Sequence, residues 1–291
     1  MAKWDGKTKG SLWGYKFFIF CIRTFGLNVS YFFCYIVSAY YVWFMPKQRD
    51  GLMRFYQIGF GYSKKQARKI TYKTFYNFGQ TLIDRVAMLT KKKKAFTHTF
   101  NNEKALRELH ENQKGGILIS GHVGNWENAG NLIHQRITST INIVMMDAEV
   151  EKVKAFLEMK TGGSKYNLIP IKDDLSHLIL MHKALKRNEL IAIHADRAVE
   201  NGKNFEMDFL GGKAKFPAGP FILAKKFKVP ITFVYAVKGS KFHYDLFATD
   251  PIVDVDADSE KDIAFAYKSH LESMVKKYPA QWFNFYDYYA N

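Results

Sequence analysis

An α/β domain with a mixed, mostly parallel central sheet flanked by helices, preceded by an N-terminal membrane-associated helical segment, is the fold this 291-residue sequence predicts. Three observations carry that reading. Beyond residue 100, short β-branched apolar runs alternate with longer amphipathic ones, the pattern of parallel strands joined by crossover helices. From Trp13 to Met45 the chain is dominated by Phe, Tyr, Ile, Val and Leu, and only Lys16 and Arg23 interrupt it with charge. Basic charge is also unevenly placed. Residues 1–100 hold 18 Lys and Arg against 3 acids, whereas residues 101–291 hold 25 against 24. Positive charge confined to the apolar third of a chain points to an anionic membrane surface rather than to nucleic acid.

Taken in order, residues 1–45 form the anchor. The uncharged stretch Gly26 to Met45 is 20 residues long, about the length needed to cross a 30 Å hydrocarbon core. It is too long and too aromatic for a cleaved signal peptide and lacks a small-x-small site. Its tyrosines and Trp43 suit the interface as well as the core, so a spanning and an in-plane arrangement are both open. If it spans, the positive-inside bias places the basic cluster from Lys47 to Lys94 on the cytoplasmic side, and the functional domain is expected to be cytoplasmic under either arrangement. Cys21 and Cys34 offer no disulfide framework and no ligand spacing, and read as small apolar side chains.

Residues 46–100 form a basic, helical, membrane-proximal segment. Between 52 and 90, Phe55, Ile58, Ile70, Phe75, Phe78, Leu82, Ile83 and Val86 recur at helix-compatible spacing, and Ser63 stands as an N-cap. Lys91 to Lys94 is either a headgroup contact or a solvated run. Residues 101–291 form the α/β domain, and 46–291 are expected to fold as one unit. Strands are expected at Ile117–Ser120, Ile141–Met146, Leu168–Ile171 and Leu190–Ala195. Helices are expected near 126–136 and at Glu149–Lys160, Leu175–Arg187 and Gly219–Phe227. The strands Ile231–Val237 and Phe242–Phe247, joined by Lys238-Gly-Ser-Lys241, read as a hairpin that makes the sheet mixed. A helix over Lys261–Lys277 closes the domain.

In an open α/β sheet, reactive groups gather beyond the carboxyl ends of strands. Two loops qualify. His122-Val-Gly-Asn-Trp-Glu127 follows the strand ending at Ser120, and Asp196-Arg197 follows the strand ending at Ala195. A carboxylate that accepts the Nδ1–H of a histidine fixes its tautomer and leaves Nε2 free to take a proton, so His122 and Glu127 read as a general base and its partner. Gly121 and Gly124 let the backbone turn around His122. Asn125 is placed to cap a helix starting at Trp126, whose free N–H groups would receive an oxyanion. Arg197 is either an ion-pair partner of Asp196 or an anion clamp. Lys213 and Lys215 flank a Gly-rich turn and are candidates for substrate contact, with plain solvation as the alternative. His194 alternates with Asp196 on one strand, but no third ligand is close in sequence, so no metal is expected. There is no Gly-x-Ser-x-Gly elbow, and Ser120 is placed to face the sheet, which argues for direct transfer without a covalent enzyme intermediate.

At these residues the sequence resembles the bacterial lipid A late acyltransferases and the wider lysophospholipid acyltransferase superfamily, whose signature is His-x4-Asp/Glu. Gly121-His-Val-Gly-Asn-Trp-Glu127 is close to the first family block. Ile191-Ala-Ile-His-Ala-Asp196 resembles the later strand ending in Asp. Met207-Asp-Phe-Leu-Gly-Gly212, Phe216-Pro-Ala-Gly-Pro220, Val229-Pro-Ile231 and Tyr278-Pro-Ala-Gln-Trp282 are similar to the blocks that follow. The resemblance implies transfer of a fatty acyl chain from acyl carrier protein or coenzyme A to a hydroxyl or amine of a membrane lipid, with His122 as base and Glu127 as its partner. Asp196 and Arg197 would organise the site or hold a phosphate-bearing group, and no cofactor is implied. Arg197 stands where lipid A enzymes often have Gln, and Gln281-Trp-Phe-Asn-Phe-Tyr-Asp-Tyr288 lacks their terminal basic residue. The acceptor therefore stays open between lipid A, an amino-acid-based lipid and a polyene-type pigment, with the C-terminus as the place that selects it.

Two other readings use the same residues. Water as the acceptor would make the protein a thioesterase or lipase. A non-enzymatic module would use the basic N-terminal third to bind a membrane surface or nucleic acid. No RNP-type aromatic pattern, zinc knuckle or helix-turn-helix supports the nucleic-acid version.

Overall fold

A seven-stranded sheet organises the residues described by the computed structural model, which are 12–88, 91–126, 139–145, 167–172, 174–199 and 202–289. Its strands are β1 (Thr97–Asn101), β2 (Gly116–Ser120), β3 (Ile141–Met145), β4 (Asn167–Pro170), β5 (Leu190–His194), β8 (Ile231–Ser240) and β9 (His243–Ala248). A separate antiparallel pair is formed by β6 (Asn204–Phe209) and β7 (Gly212–Pro217). The large sheet runs β1-β9-β8-β2-β5-β3-β4, and only β8 with β9 pair antiparallel. The mixed, mostly parallel architecture is the expected one.

The central strand β2 is buried along its whole length, as a continuous apolar run between two parallel neighbours must be. Helices α6 (Ser176–Lys186), α7 (Gly219–Phe227) and α8 (Glu260–Lys277) fall where the amphipathic stretches put them. A capping box at Ser259 and Asp262 starts α8. The hairpin differs in detail. β8 continues to Ser240 with a register shift between Lys238 and Ser240, so the turn is tighter than a Lys238–Lys241 loop. Of the helix expected near 126–136 only Trp126 is described, and the helix expected at 149–160 lies outside the described residues.

The N-terminal third is divided by left-handed backbone. Helix α1 (Leu12–Thr24) ends before Gly26 at φ 83, and α2 (Leu27–Phe44) follows. The helical region expected over 52–90, with a helix start at Ser63, is two helices, α3 (Pro46–Phe60) and α4 (Lys64–Met88), separated by Gly61 at φ 64. The Ser63 amide donates to Gln66 Oε1 at 2.9 Å and the Gln66 amide to Ser63 Oγ at 3.4 Å, so Ser63 caps α4 as expected.

Helix α2 is apolar on two sides. Leu27, Ser30, Tyr31, Cys34 and Ser38 are buried, at the spacing of one helix face. They pack on α4 so closely that a Cβ on Gly79 would stand 2.4 Å from Cys34 Sγ. Phe32, Tyr35, Ile36, Tyr40, Trp43 and Phe44 cover the other side and are all exposed. Among the described residues, α2 is the one helix long and apolar enough to cross a membrane by length and composition.

Core packing joins the segments. Leu52, Phe55, Tyr56 and Phe75 share an apolar cluster with Ile117, Ile119, Ile191 and Trp282 on one side of the sheet. Ile22, Leu27, Tyr31 and Cys34 join Leu118, Ile143 and Leu246 in the other cluster. Both cysteines are buried and free, as their apolar surroundings predict.

Candidate active site

The site is built at the carboxyl ends of two adjacent parallel strands. Ser120 on β2 pairs in register with His194 on β5, and Ala195 N–H donates to the Ser120 carbonyl at 3.0 Å. His122 and Asp196 each lie two residues past that pair, so the register alone brings them face to face. His122 Nδ1 is 2.8 Å from Asp196 Oδ1, and the His122 backbone N–H donates to Asp196 Oδ2 at 2.9 Å. Asn284 Nδ2 donates to the same Oδ2 at 3.0 Å, and Tyr288 Oη donates to the Asp196 carbonyl at 2.9 Å. The aspartate is fully buried and the His122 side chain is 22 % exposed.

These contacts reassign one role. The Nδ1 partner of His122 is Asp196, where Glu127 was the expected partner and Asp196 was expected either to organise the site or to hold a phosphate-bearing group. Glu127 itself lies outside the described residues. The reason is tertiary: the end of the neighbouring strand β5 brings the Asp196 carboxylate to the imidazole.

The backbone after His122 is clamped on both sides. Gly124 has φ +71, and a Cβ there would lie 2.0 Å from the Ala236 carbonyl oxygen of β8, so only glycine fits. Gly124 N–H donates to Gln281 O at 2.9 Å, and Phe283 N–H donates to His122 O at 2.8 Å. Asn125 N–H donates to Ala236 O at 2.6 Å, and its amide nitrogen donates to Thr81 O and Tyr244 Oη, both at 3.2 Å. With these donors committed to protein acceptors, Asn125 is a buried anchor of the loop. The Trp126 ring meets His194 edge-on at 4.5 Å, and the residues of the helix expected to follow it lie outside those described.

Burial lowers the His122 pKa from its ordinary value, and the Arg197 cation lowers it further. Together they outweigh the Asp196 carboxylate, which acts the other way. Burial pushes the Asp196 carboxyl up, but His122, His194 and Arg197 more than offset it and hold it well below the usual carboxylate range. At neutral pH the pair is therefore a neutral imidazole on an ionised carboxylate, with the proton on Nδ1 and Nε2 open to accept. Nε2 has no protein partner among the described residues.

His194 stacks on His122 with ring centroids 4.4 Å apart and planes 26° off parallel. His122, His194 and Asp196 bring potential ligand atoms within 4.8 Å of one another, so His122 is the third group that sequence spacing did not supply. The two rings lie nearly parallel, and Asp196 already occupies His122 Nδ1. That geometry favours a hydrogen-bonded base over a metal cage.

Arg197 faces the C-terminal segment. Its Nε donates to Asn284 Oδ1 at 2.8 Å and Nη2 to the Phe283 carbonyl at 3.1 Å, and it lies 5.9 Å over the Tyr286 ring. It ties the C-terminus over Asp196, and its cation helps hold that carboxylate ionised, as an electrostatic partner of Asp196 would. Lys213 and Lys215 are exposed on β7, Lys213 paired to Asp208 at 2.7 Å and Lys215 opposite Glu206 in the register. Among the described residues, neither lysine hydrogen-bonds or ion-pairs with the His122 cluster. Sequence reasoning missed Asn284 and Tyr288. The signal available was the polar Asn284 in an otherwise aromatic terminal run.

Arg197→Gln is expected to move the acidic limb of the kcat/KM profile to higher pH, because the substitution removes a cation that holds His122 low. An unmoved limb in a variant that melts normally would mean the guanidinium does not act on His122.

Both loops, their shared carboxylate and the closing C-terminal strap lie inside one match to a family profile. Residues 6–289 match the profile of the bacterial lipid A biosynthesis acyltransferases. No curated protein sequence matches the chain significantly. With the match covering nearly the whole length, the chain belongs to the bacterial lipid A biosynthesis acyltransferase family.

Proposed function

We propose that the protein transfers a fatty acyl chain from a thioester donor, acyl carrier protein or coenzyme A, to a hydroxyl or amine of a lipid acceptor at the inner membrane, with the active domain on the cytoplasmic face. The carrying observation is the His122 imidazole, held through Nδ1 by a buried aspartate and reaching solvent at one edge, where burial and Arg197 favour its neutral form. Nε2 takes the proton of the acceptor as its oxygen or nitrogen attacks the thioester carbonyl. The tetrahedral intermediate then collapses, the carbon–sulfur bond breaks, and the leaving thiol receives that proton. Asp196 holds the tautomer and stabilises the imidazolium while it exists. Glu127 keeps its place as the motif carboxylate, in a role other than holding Nδ1. The acyl thioester is a substrate, so the proposal needs no cofactor and no metal.

An in-plane membrane arrangement suits this chain better than a spanning one. Helix α2 lies along α4 through Tyr31, Cys34 and Ser38. Helix α4 exposes Lys64, Lys65, Arg68, Lys69 and Lys73, and burying them in hydrocarbon would be costly. The opposite, aromatic side of α2 is then the surface that enters the interface.

The test is lipid mass spectrometry on a deletion strain complemented with wild type or with His122→Ala. Complementation by wild type alone should restore one acyl chain to one lipid, identifying acceptor and chain together. An identical lipid profile in all three strains, or free fatty acid as the only product, would overturn acyl transfer to a lipid.

A further inference from the structure

A groove of about 770 Å³ lies between α2, α4, the β8–β9 turn and the first residues of the C-terminal strap. Its charged lining is one-sided. Lys73, Lys238, Lys241 and Lys277 line it, and no Asp or Glu does. Tyr31, Tyr35, Tyr76 and Tyr278 supply aromatic walls with polar edges. Lys238 is already committed, because its Nζ donates to the buried Asp84 at 2.5 Å, and Tyr31 and Tyr244 donate to that same carboxylate. Lys73, Lys241 and Lys277 are exposed and have no carboxylate partner among the described residues. Three unneutralised cations around one concavity favour a doubly or singly charged oxyanion.

Its position says which anion. Phe32 and Tyr35 belong both to the groove wall and to the exposed aromatic face of α2. A molecule with its anionic head in the groove would lay its apolar tail along Ile36, Tyr40, Trp43 and Phe44. That combination is an anionic lipid, and a water-soluble phosphate uses only half of it.

We propose that this groove binds the phosphate-bearing headgroup of an anionic membrane lipid, with Lys73, Lys241 and Lys277 contacting the phosphate. The proposal rests on the membrane placement of α2 and not on the His122 chemistry. The groove and the active site share one strand: Ala236 of β8 accepts from the Asn125 N–H, and Lys238, two residues on, lines the groove. A bound headgroup therefore fixes the height of the catalytic loop above the bilayer.

The experiment titrates the full chain with dihexanoyl-phosphatidylglycerol below its micelle concentration, and separately with phosphatidylcholine vesicles with and without added phosphatidylglycerol. Wild type is compared with the triple variant Lys73→Gln, Lys241→Gln, Lys277→Gln, and with a charge-matched control, Lys114→Gln, Lys183→Gln, Lys186→Gln. Melting curves confirm that both fold. Affinity for the short-chain lipid should fall by about a hundredfold in the groove variant, since each lysine at an anionic surface is worth roughly fivefold. The control should stay within about twofold of wild type. Equal losses in both variants would reduce the groove to diffuse electrostatics and overturn the proposal. Competition by free coenzyme A as strong as that of the lipid would overturn it too, assigning the groove to a donor phosphate. Acyl-transfer assays of the same variants are read separately, so failure of either reading leaves the other standing.

Discussion

Replacing His122 with alanine is expected to lower kcat for acyl transfer by about 10²–10⁴, the range a positioned general base contributes. KM for the acyl donor should change little, because the proton is taken in the transition state and not in the ground-state complex. The protein should remain folded. Asp196 keeps the Asn284 amide and the residue-122 backbone N–H as donors, so the loss of one side-chain hydrogen bond is expected to cost roughly 1–3 kcal/mol. Steady-state kinetics and a melting curve on one preparation separate the two effects. A variant that turns over at the wild-type rate would remove His122 from the chemistry. A variant that loses turnover only together with its fold would leave the base unassigned.

The parts of this molecule that could be read in the sequence are those set by local pattern. β2 and β5 are short apolar runs, α7 starts at Gly219 with Pro220 in its first turn, and the Ile231–Ala248 hairpin carries its own turn residues. The convergence of the His122 and Asp196 loops was legible for the same reason: parallel neighbours present the ends of their strands on one edge. Elements without a strong pattern were not. β1 alternates exposed and half-buried residues at the sheet edge, and α5 (Glu103–Glu111) buries only Ala105, Leu106 and Leu109. The β6–β7 pair, which buries Met207 opposite Ala214 and also buries Phe209 and Phe216, was read as motif blocks rather than as strands.

The partner on Nδ1 was not legible at all. A histidine and a glutamate five positions apart share a turn, so local reasoning pairs them, whereas the Ser120–His194 register brings a carboxylate 74 residues away to 2.8 Å. The C-terminal run shows the same limit. Its aromatic composition predicts packing, which Trp282 and Tyr288 fulfil. That Asn284 and Tyr288 would close over Asp196 depends on where the strap crosses the sheet edge, and the bridges Val123–Trp282 and Gly124–Ala236 fix that crossing.

Asp196→Asn tests the arrangement more sharply than removal of the base, because shape is kept and only proton direction changes. The amide can still accept from the His122 backbone N–H or from Asn284 through its single oxygen. Its nitrogen then faces His122 Nδ1 as a donor, which forces the imidazole proton onto Nε2. An Nε2–H cannot accept from the attacking group, so kcat should fall by about 10⁴, the scale of a tautomer reversal in a buried His–Asp pair. Stability supplies an independent reading. In the wild type the folded-state carboxyl of Asp196 lies below its unfolded value, so its contribution is fully present above the ordinary carboxylate range, near pH 3.9, and is lost as pH falls through it. His122 has the same sign: its lowered folded pKa means that acid favours the unfolded chain. Asp196→Asn removes the carboxyl part, so unfolding free energy measured by urea should decline less steeply than in wild type as pH drops below about 5. A variant with normal turnover would show that Asp196 does not set the tautomer. Wild-type and variant curves that run parallel through the acid range would show that its carboxylate is not held ionised by this site.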